Sequence, residues 1–134
     1  MKLNIGSGED AMEEDDEGVI YVDDLSDWTK HEDVRRWYEE HSNCRIRDAN
    51  DLGCFDDEMF DEVASCRCLG KYVENYDEIA RVMKKGGRIW ICVWKENLLE
   101  LVDGLTKAGI EVTNIDTGNW DDGWYDYFVE GKKQ

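Results

Sequence analysis

Leu3-Asn4-Ile5-Gly6-Ser7-Gly8 opens the chain with a short apolar run that breaks on glycine. A second run, Phe60-Asp61-Glu62-Val63, leads through a helical pattern to Lys84-Lys85-Gly86-Gly87 and then to Arg88-Ile89-Trp90-Ile91. Strand, helix, glycine turn, strand is the signature of an α/β sheet, and the glycine-ended first strand marks it as one that binds a ligand. The order and separation of the two pieces carry this reading. Neither does so alone.

The rest of the chain continues the alternation. Val19-Ile20-Tyr21-Val22 is β-branched and aromatic, as a buried strand requires, and it ends at Asp23-Asp24. A helix is expected from Asp27 to about Glu40, because Val34, Trp37, Tyr38 and His41 recur at the spacing of one helical face. A short strand follows over 44–48, a loop over 49–59 and a strand over 60–66. Tyr72, Tyr76, Ile79, Ala80 and Met83 share the face of the next helix. Lys84 and Lys85 suit its negative end and Gly86-Gly87 stops it. An apolar strand over Arg88–Val93 is expected to be central. A helix through Trp94, Leu98, Leu101, Val102 and Leu105 then leads to strands at Ile110–Ile115 and Trp124–Glu130, joined by a link short enough for an antiparallel pair. The expected fold is a three-layer Rossmann-like α/β sandwich: a seven-stranded, mostly parallel sheet with an antiparallel last strand and little helix near the N-terminus. Residues 1–134 read as one domain, with no proline and no linker-like stretch. In such sheets ligands sit at the carboxyl ends of strands, beside the point where strand order reverses. That rule selects the residues that follow 5, 22, 47 and 65.

Charge narrows the partners. Sixteen basic and 33 acidic residues leave a net −17, so phosphate backbones are repelled at long range and nucleic acid is an unlikely partner unless a local basic patch exists. Seven of the nine residues from Glu9 to Glu17 are acidic. They are expected to form a solvated loop, or one that screens a cationic ligand beside it. No apolar run approaches the roughly 20 residues of a membrane span. Five cysteines and two histidines offer no metal-ligand spacing, and Cys66-Arg67-Cys68 is not C-x-x-C. The odd cysteine count fits packed, reduced thiols in a cytoplasmic protein. A calcium loop starting at Asp48 fails because Leu52 and Met59 occupy ligand positions.

Taken together, these segments resemble the class I S-adenosylmethionine-dependent methyltransferases along nearly the whole chain. Leu3–Gly8 is similar to that family's first motif, Tyr21-Val22-Asp23 to its second, and Arg47-Asp48-Ala49 with Asp51-Leu52 to its third. Phe60–Val63 is similar to its fourth, and Glu78-Ile79-Ala80-Arg81-Val82-Met83-Lys84-Lys85-Gly86-Gly87 to its E-x-x-R-V-L-K-P-G-G segment, the most specific piece. Lys85 stands where that segment has proline, and Asp10 stands where a third glycine is usual. Only residues 9–18 separate Gly8 from the second strand, where relatives fit a full helix, and no helix precedes the first strand.

The resemblance implies S-adenosylmethionine as cofactor and a small molecule or protein side chain as methyl acceptor. It implies a binding set of Asn4, Gly6, Ser7, Gly8, Asp23, Asp24, Asp48, Ala49, Ser65 and Cys66. Glycines 6 and 8 would border the methionine part, where a β-carbon would obstruct. Asp23, with Asp24 as runner-up, would accept from the ribose diol. Asp48 and the Ala49 amide would meet the adenine, and Ser65 and Cys66 would flank the methyl group. Each also has a plainer reading, as a tight turn, a surface acid, a turn cap or core packing. Electrostatics agrees on the cofactor class: the acids after Gly8 would oppose the pyrophosphate of a dinucleotide but not a sulfonium or ammonium cation. No general base is identified, since His31 and His41 read as packing or surface residues, and no metal is expected. Ser65-Cys66-Arg67-Cys68 lacks the aromatic-proline motif of amino-methylating DNA enzymes, and the missing proline excludes cytosine C5 chemistry. Two alternatives stay open: a catalytically inactive protein of this fold serving as an acidic interaction module, and, more weakly, a nucleic-acid mimic.

Overall fold

The computed structural model describes residues 1–66, 69, 73–117 and 127–134, without the Cys66 side chain. Seven strands form one sheet: β1 (Lys2–Ile5), β2 (Val19–Asp23), β3 (Cys44–Ile46), β4 (Phe60–Cys66), β5 (Met83–Val93), β6 (Ile110–Thr117) and β7 (Tyr127–Lys133). Their order is β3-β2-β1-β4-β5-β7-β6. The first five in this order pair in parallel, and β7 runs antiparallel between β5 and β6. Strand order reverses between β1 and β4, so the switch point lies at the carboxyl ends of those two strands. The helices are α1 (Asp10–Glu14), α2 (Glu32–Glu40), α3 (Tyr76–Val82) and α4 (Leu98–Lys107). No helix among the described residues is long and apolar enough to cross a membrane.

One face of the sheet carries the main core. Leu3, Ile5, Val63, Ile89, Ile91, Val93 and Val129 point into it, packed with Leu101 and Leu105 of α4 and Ile79 of α3. A smaller cluster on the opposite face joins Val19 and Tyr21 of β2 to Ala11 of α1 and to Val34 and Tyr38 of α2. Period-two alternation along the strands assigns each residue to one of these faces.

Four local expectations need correction. The acidic stretch after Gly8 is not wholly loop, because α1 forms inside it. Ala11 is buried against the small core, and the acids Asp10 and Glu13 occupy the positive first turn. The helix expected from Asp27 begins only at Glu32; a separate 3-10 turn spans Ser26–Trp28, preceded by Leu25 in the left-handed region at φ 61°. Lys84, Lys85 and Gly86-Gly87 do not close a helix. α3 ends at Val82, Met83 is already extended, and residues 84–87 belong to β5. Phe60 pairs with Met83 and Glu62 with Arg88, so the four residues 84–87 bulge outward against one on β4. Gly86 takes φ 78°, and a β-carbon at Gly87 would come within 2.7 Å of the Lys84 carbonyl oxygen. Glycine is needed there for the bulge rather than for a helix stop. The expected hairpin link around 118–123, the start of the last strand at Trp124 and the helical Tyr72 lie outside the described residues.

The loop between β3 and β4 has no regular structure, yet it is held firmly. The Arg81 guanidinium on α3 donates to the carbonyls of Leu52 and Phe55 (2.9 Å each) and to Asp57 (2.8 Å), and it pairs with Glu78. Asn50 accepts from the amides of Glu74 and Asn75 through its side chain. The arginine that makes the E-x-x-R segment specific is therefore a latch between α3 and this loop.

Candidate functional site

The loop after β1 is built against the end of β2. Gly6 and Gly8 have φ of 71° and 45°, the left-handed region that a side chain disfavours. The Gly6 amide donates to the Val22 carbonyl (2.8 Å), so the loop turns directly over the neighbouring strand. The Gly8 amide donates to Asp23 Oδ2 at 2.8 Å, and the Leu25 amide donates to Asp23 Oδ1 at 2.7 Å. Asp23 thus joins the glycine loop to the left-handed turn that follows β2. Each carboxylate oxygen can accept two hydrogen bonds, so each keeps one acceptor position. Burial pushes the Asp23 carboxyl above its ordinary value, opposed by the amides of Leu25 and Gly8, while Asp24 and Asp27 add to the rise.

Two aromatic residues complete this junction, and sequence reasoning gave them no part in it. The Tyr38 hydroxyl, from α2, lies 2.7 Å from Ser7 Oγ and donates to the Gly8 carbonyl at 3.0 Å. Burial pushes the Tyr38 phenol well above its usual range, so it is a neutral donor at physiological pH. The Trp28 indole lies against Gly8, where a β-carbon would come within 2.5 Å of Trp28 Nε1. Helical periodicity identified Tyr38 as buried. It could not reveal a hydroxyl partner 31 residues away.

The other expected site residues separate into two groups. Asp23, Gly6, Ser7 and Gly8 meet at the ends of β1 and β2, and Ser65 joins them at the end of β4, where it is the register partner of Ile5. Ser65 is 4% exposed, and its Oγ is the one buried side-chain polar atom without a hydrogen-bond partner among the described residues. Leaving such a group unpaired costs about 1–3 kcal/mol. Asn4 points to the opposite face, half-buried, in the middle of β1. Asp24 is exposed and accepts from the Ser26 amide and hydroxyl, the contacts of a turn cap. Asp48 is likewise exposed and accepts at Oδ1 from the Asn50 amide and side chain, while Ala49 is buried beside it. Cys66 is the register partner of Cys92 across β4 and β5, and its side chain lies outside the described residues. Both histidines contact tryptophan rings: His31 meets Trp28 edge-on, and His41 stacks on Trp37 at 3.7 Å between centroids.

Known structures share this fold. An S-adenosylmethionine-dependent methyltransferase from Mesorhizobium loti superposes with a TM-score of 0.73 at 12% identity, over 98% of this chain and 90% of that one. One from Aquifex aeolicus gives 0.70 at 18% identity, over 97% and 80%. The fold is that of the class I methyltransferases. The [4+2]-cyclase SpnF is also similar, with a TM-score of 0.69 at 15% identity over 98% of this chain and 74% of that one. A cyclase among such close structural neighbours shows that this fold does not by itself dictate the reaction. No family model matches the sequence, and no curated protein does either.

Proposed function

We propose that this chain binds S-adenosylmethionine over the carboxyl ends of β1, β2 and β4 and passes its methyl group to a small-molecule or protein acceptor. The observation that carries this reading is Asp23: a half-buried carboxylate at the switch-point side of β2, fixed by two backbone amides with one acceptor position left on each oxygen. Two parallel acceptors suit the two adjacent hydroxyls of a ribose. The glycine loop beside it presents bare backbone, and the acidic stretch from Glu9 to Glu17 favours a cationic ligand over a phosphorylated one. The structures of the same fold from M. loti and A. aeolicus are of S-adenosylmethionine-dependent enzymes.

When bound, S-adenosylmethionine supplies a methyl group that an acceptor lone pair displaces from the sulfonium sulfur in line, leaving S-adenosylhomocysteine and a proton from the acceptor. The chain's own contribution is position and dryness. Asp23 holds the sugar, and Gly6, Ser7 and Gly8 border the methionine part. Tyr38 and Trp28 keep the glycine loop in place from behind. Ser65, its hydroxyl sealed beneath the surface and unpaired, lies under the site next to Cys66, where the methyl group would lie. Asp48 uses one oxygen in its own turn and keeps the other for the adenine amino group, with Ala49 alongside. Asp24 is committed to its turn, and Asn4 faces away, so both take supporting places.

Calorimetry with S-adenosylmethionine and S-adenosylhomocysteine tests this on the parent chain and on Asp23→Ala. Saturable binding that weakens at least about tenfold in the variant is expected, the size of losing two hydrogen bonds to a charged acceptor. An absence of heat at millimolar ligand would overturn it and leave the inactive acidic module as the better description.

A further inference from the structure

The sheet is covered unequally. Beneath α4, β5 buries Ile89, Ile91 and Val93, while Arg88, Trp90 and Cys92 alternate onto the other side. No described helix lies over β5 and β7 on that side, because α1 and α2 pack on β2 and β3. The register places three rows across the open face. Glu62, Arg88, Lys132 and Glu111 form one row; Ala64, Trp90, Glu130 and Asn114 form the next; Cys92, Phe128 and Asp116 form the third. A cavity of about 320 Å³ lies over the first two rows, bounded by Arg88, Trp90, Lys132, Glu130 and Asn114. That volume is at the lower end of the roughly 300–1,000 Å³ typical of ligand sites.

We propose that this cavity is a second binding site, for a planar aromatic anion of nucleotide size. Trp90 is half-buried with its indole in the cavity wall, an aromatic surface on which a flat ring can stack. Arg88 and Lys132 are exposed and form no ion pair with any described residue, although Glu62 and Glu111 are their strand neighbours. The Glu111 carboxylate instead accepts from Gln134 Nε2 at 2.6 Å. Two such cations beside a tryptophan fit one phosphate attached to one ring. Glu130 and Asn114, in the same row as the indole, supply an acceptor and a donor for the ring's polar edge. Glu130 and the strand neighbours Glu62 and Glu111 leave the immediate surround one net negative, so the phosphate is held by direct charge-assisted contacts with Arg88 and Lys132 rather than by the local field. The site is independent of the cofactor reading, since it uses the opposite face and the middle of β5 rather than strand ends. A net charge of −17 repels a long polyanion.

Adenosine 5′-monophosphate, adenosine and a hexa-adenylate strand are the probes, followed through the Trp90 indole N–H signal by NMR, assigned with Trp90→Phe. Saturable shifts with the monophosphate are expected, and adenosine should bind at least about fivefold more weakly, because it lacks the charge-assisted contacts. Arg88→Glu with Lys132→Glu should weaken the monophosphate at least about tenfold. Arg88→Gln with Lys132→Gln serves as the gentler pair if circular dichroism shows that the first is misfolded. Asp23→Ala should keep this binding while losing cofactor heat, so the two readings fail separately. A hexamer that binds no more tightly than the monophosphate is expected, and one that binds more tightly overturns the free-nucleotide reading. A monophosphate that leaves Trp90 unmoved, or that binds both charge variants as it binds the parent, overturns it.

Discussion

The two faces of the sheet are made from the same strands and have opposite properties. On the face under α3 and α4, every described inward position of β5 from Ile89 onward is aliphatic and buried. On the other face, the alternate positions are charged, aromatic or small, and among the described residues only β2 and β3 are covered by a helix. Central strands of parallel sheets are usually buried on both sides. Here the acidic stretch after Gly8 folds only the five residues of α1, too little helix to reach past β2. One face therefore holds the fold together, and the other carries no described helix over β5 and β7.

The largest expected effect breaks this symmetry directly. Leu105→Ala or Ile91→Ala should cost about 3–4 kcal/mol in urea unfolding, since each empties a fully buried site. Trp90→Ala, although it removes more atoms, should cost less than either, because its side chain keeps part of its surface in solvent. Equal costs would mean that the second face is packed after all. Next comes the latch. Arg81→Ala should lose about 2 kcal/mol by stranding the Phe55 carbonyl and leaving Leu52 with only the Phe55 amide as donor. Arg81→Lys should recover little of it, because an ammonium cannot span those acceptors as a guanidinium does. Hydrogen exchange should then rise over residues 50–57 before it rises elsewhere. Tyr38→Phe should cost about 1 kcal/mol, and it should weaken cofactor binding by freeing Ser7 and Gly8 without touching the ligand.

The smallest effect is a pH profile. Burial raises the Asp23 carboxyl, so protonation removes an acceptor at a higher pH than for an exposed aspartate near 3.9. Cofactor affinity should fall as pH drops through that raised value and should be flat above it. The sign for stability is the reverse. The protonated form's contribution is complete below the unfolded value and is lost as pH rises through the folded one, so Asp23→Asn should flatten that slope in urea midpoints.

Sequence patterns made the frame visible because each piece is local. Glycine after an apolar run located β1, and the acid pair located the end of β2. Helical spacing located α2 and α4, whose 3-10 entry turns blurred only their starts. The features that escaped detection join residues far apart in the chain. Nothing near Tyr38 announces that its hydroxyl reaches Ser7, and nothing near Arg81 announces two carbonyls in the preceding loop. Gly86-Gly87 carried a valid turn signal, but a stop after α3 and a bulge in β5 look alike until Phe60 and Glu62 supply the register. The alternation in Arg88–Val93 was present in the sequence. Trp90 and Cys92 made it look uniformly apolar, so the run announced a central strand without showing that its two faces differ.

An amide NMR titration with S-adenosylhomocysteine addresses both faces in one experiment. Saturable shifts at Gly6, Gly8 and Leu25, absent in Asp23→Ala and complete at concentrations below those that move the Trp90 indole, are the predicted result. Shifts centred on Trp90, or a glycine loop that stays silent at saturating ligand, would contradict the account.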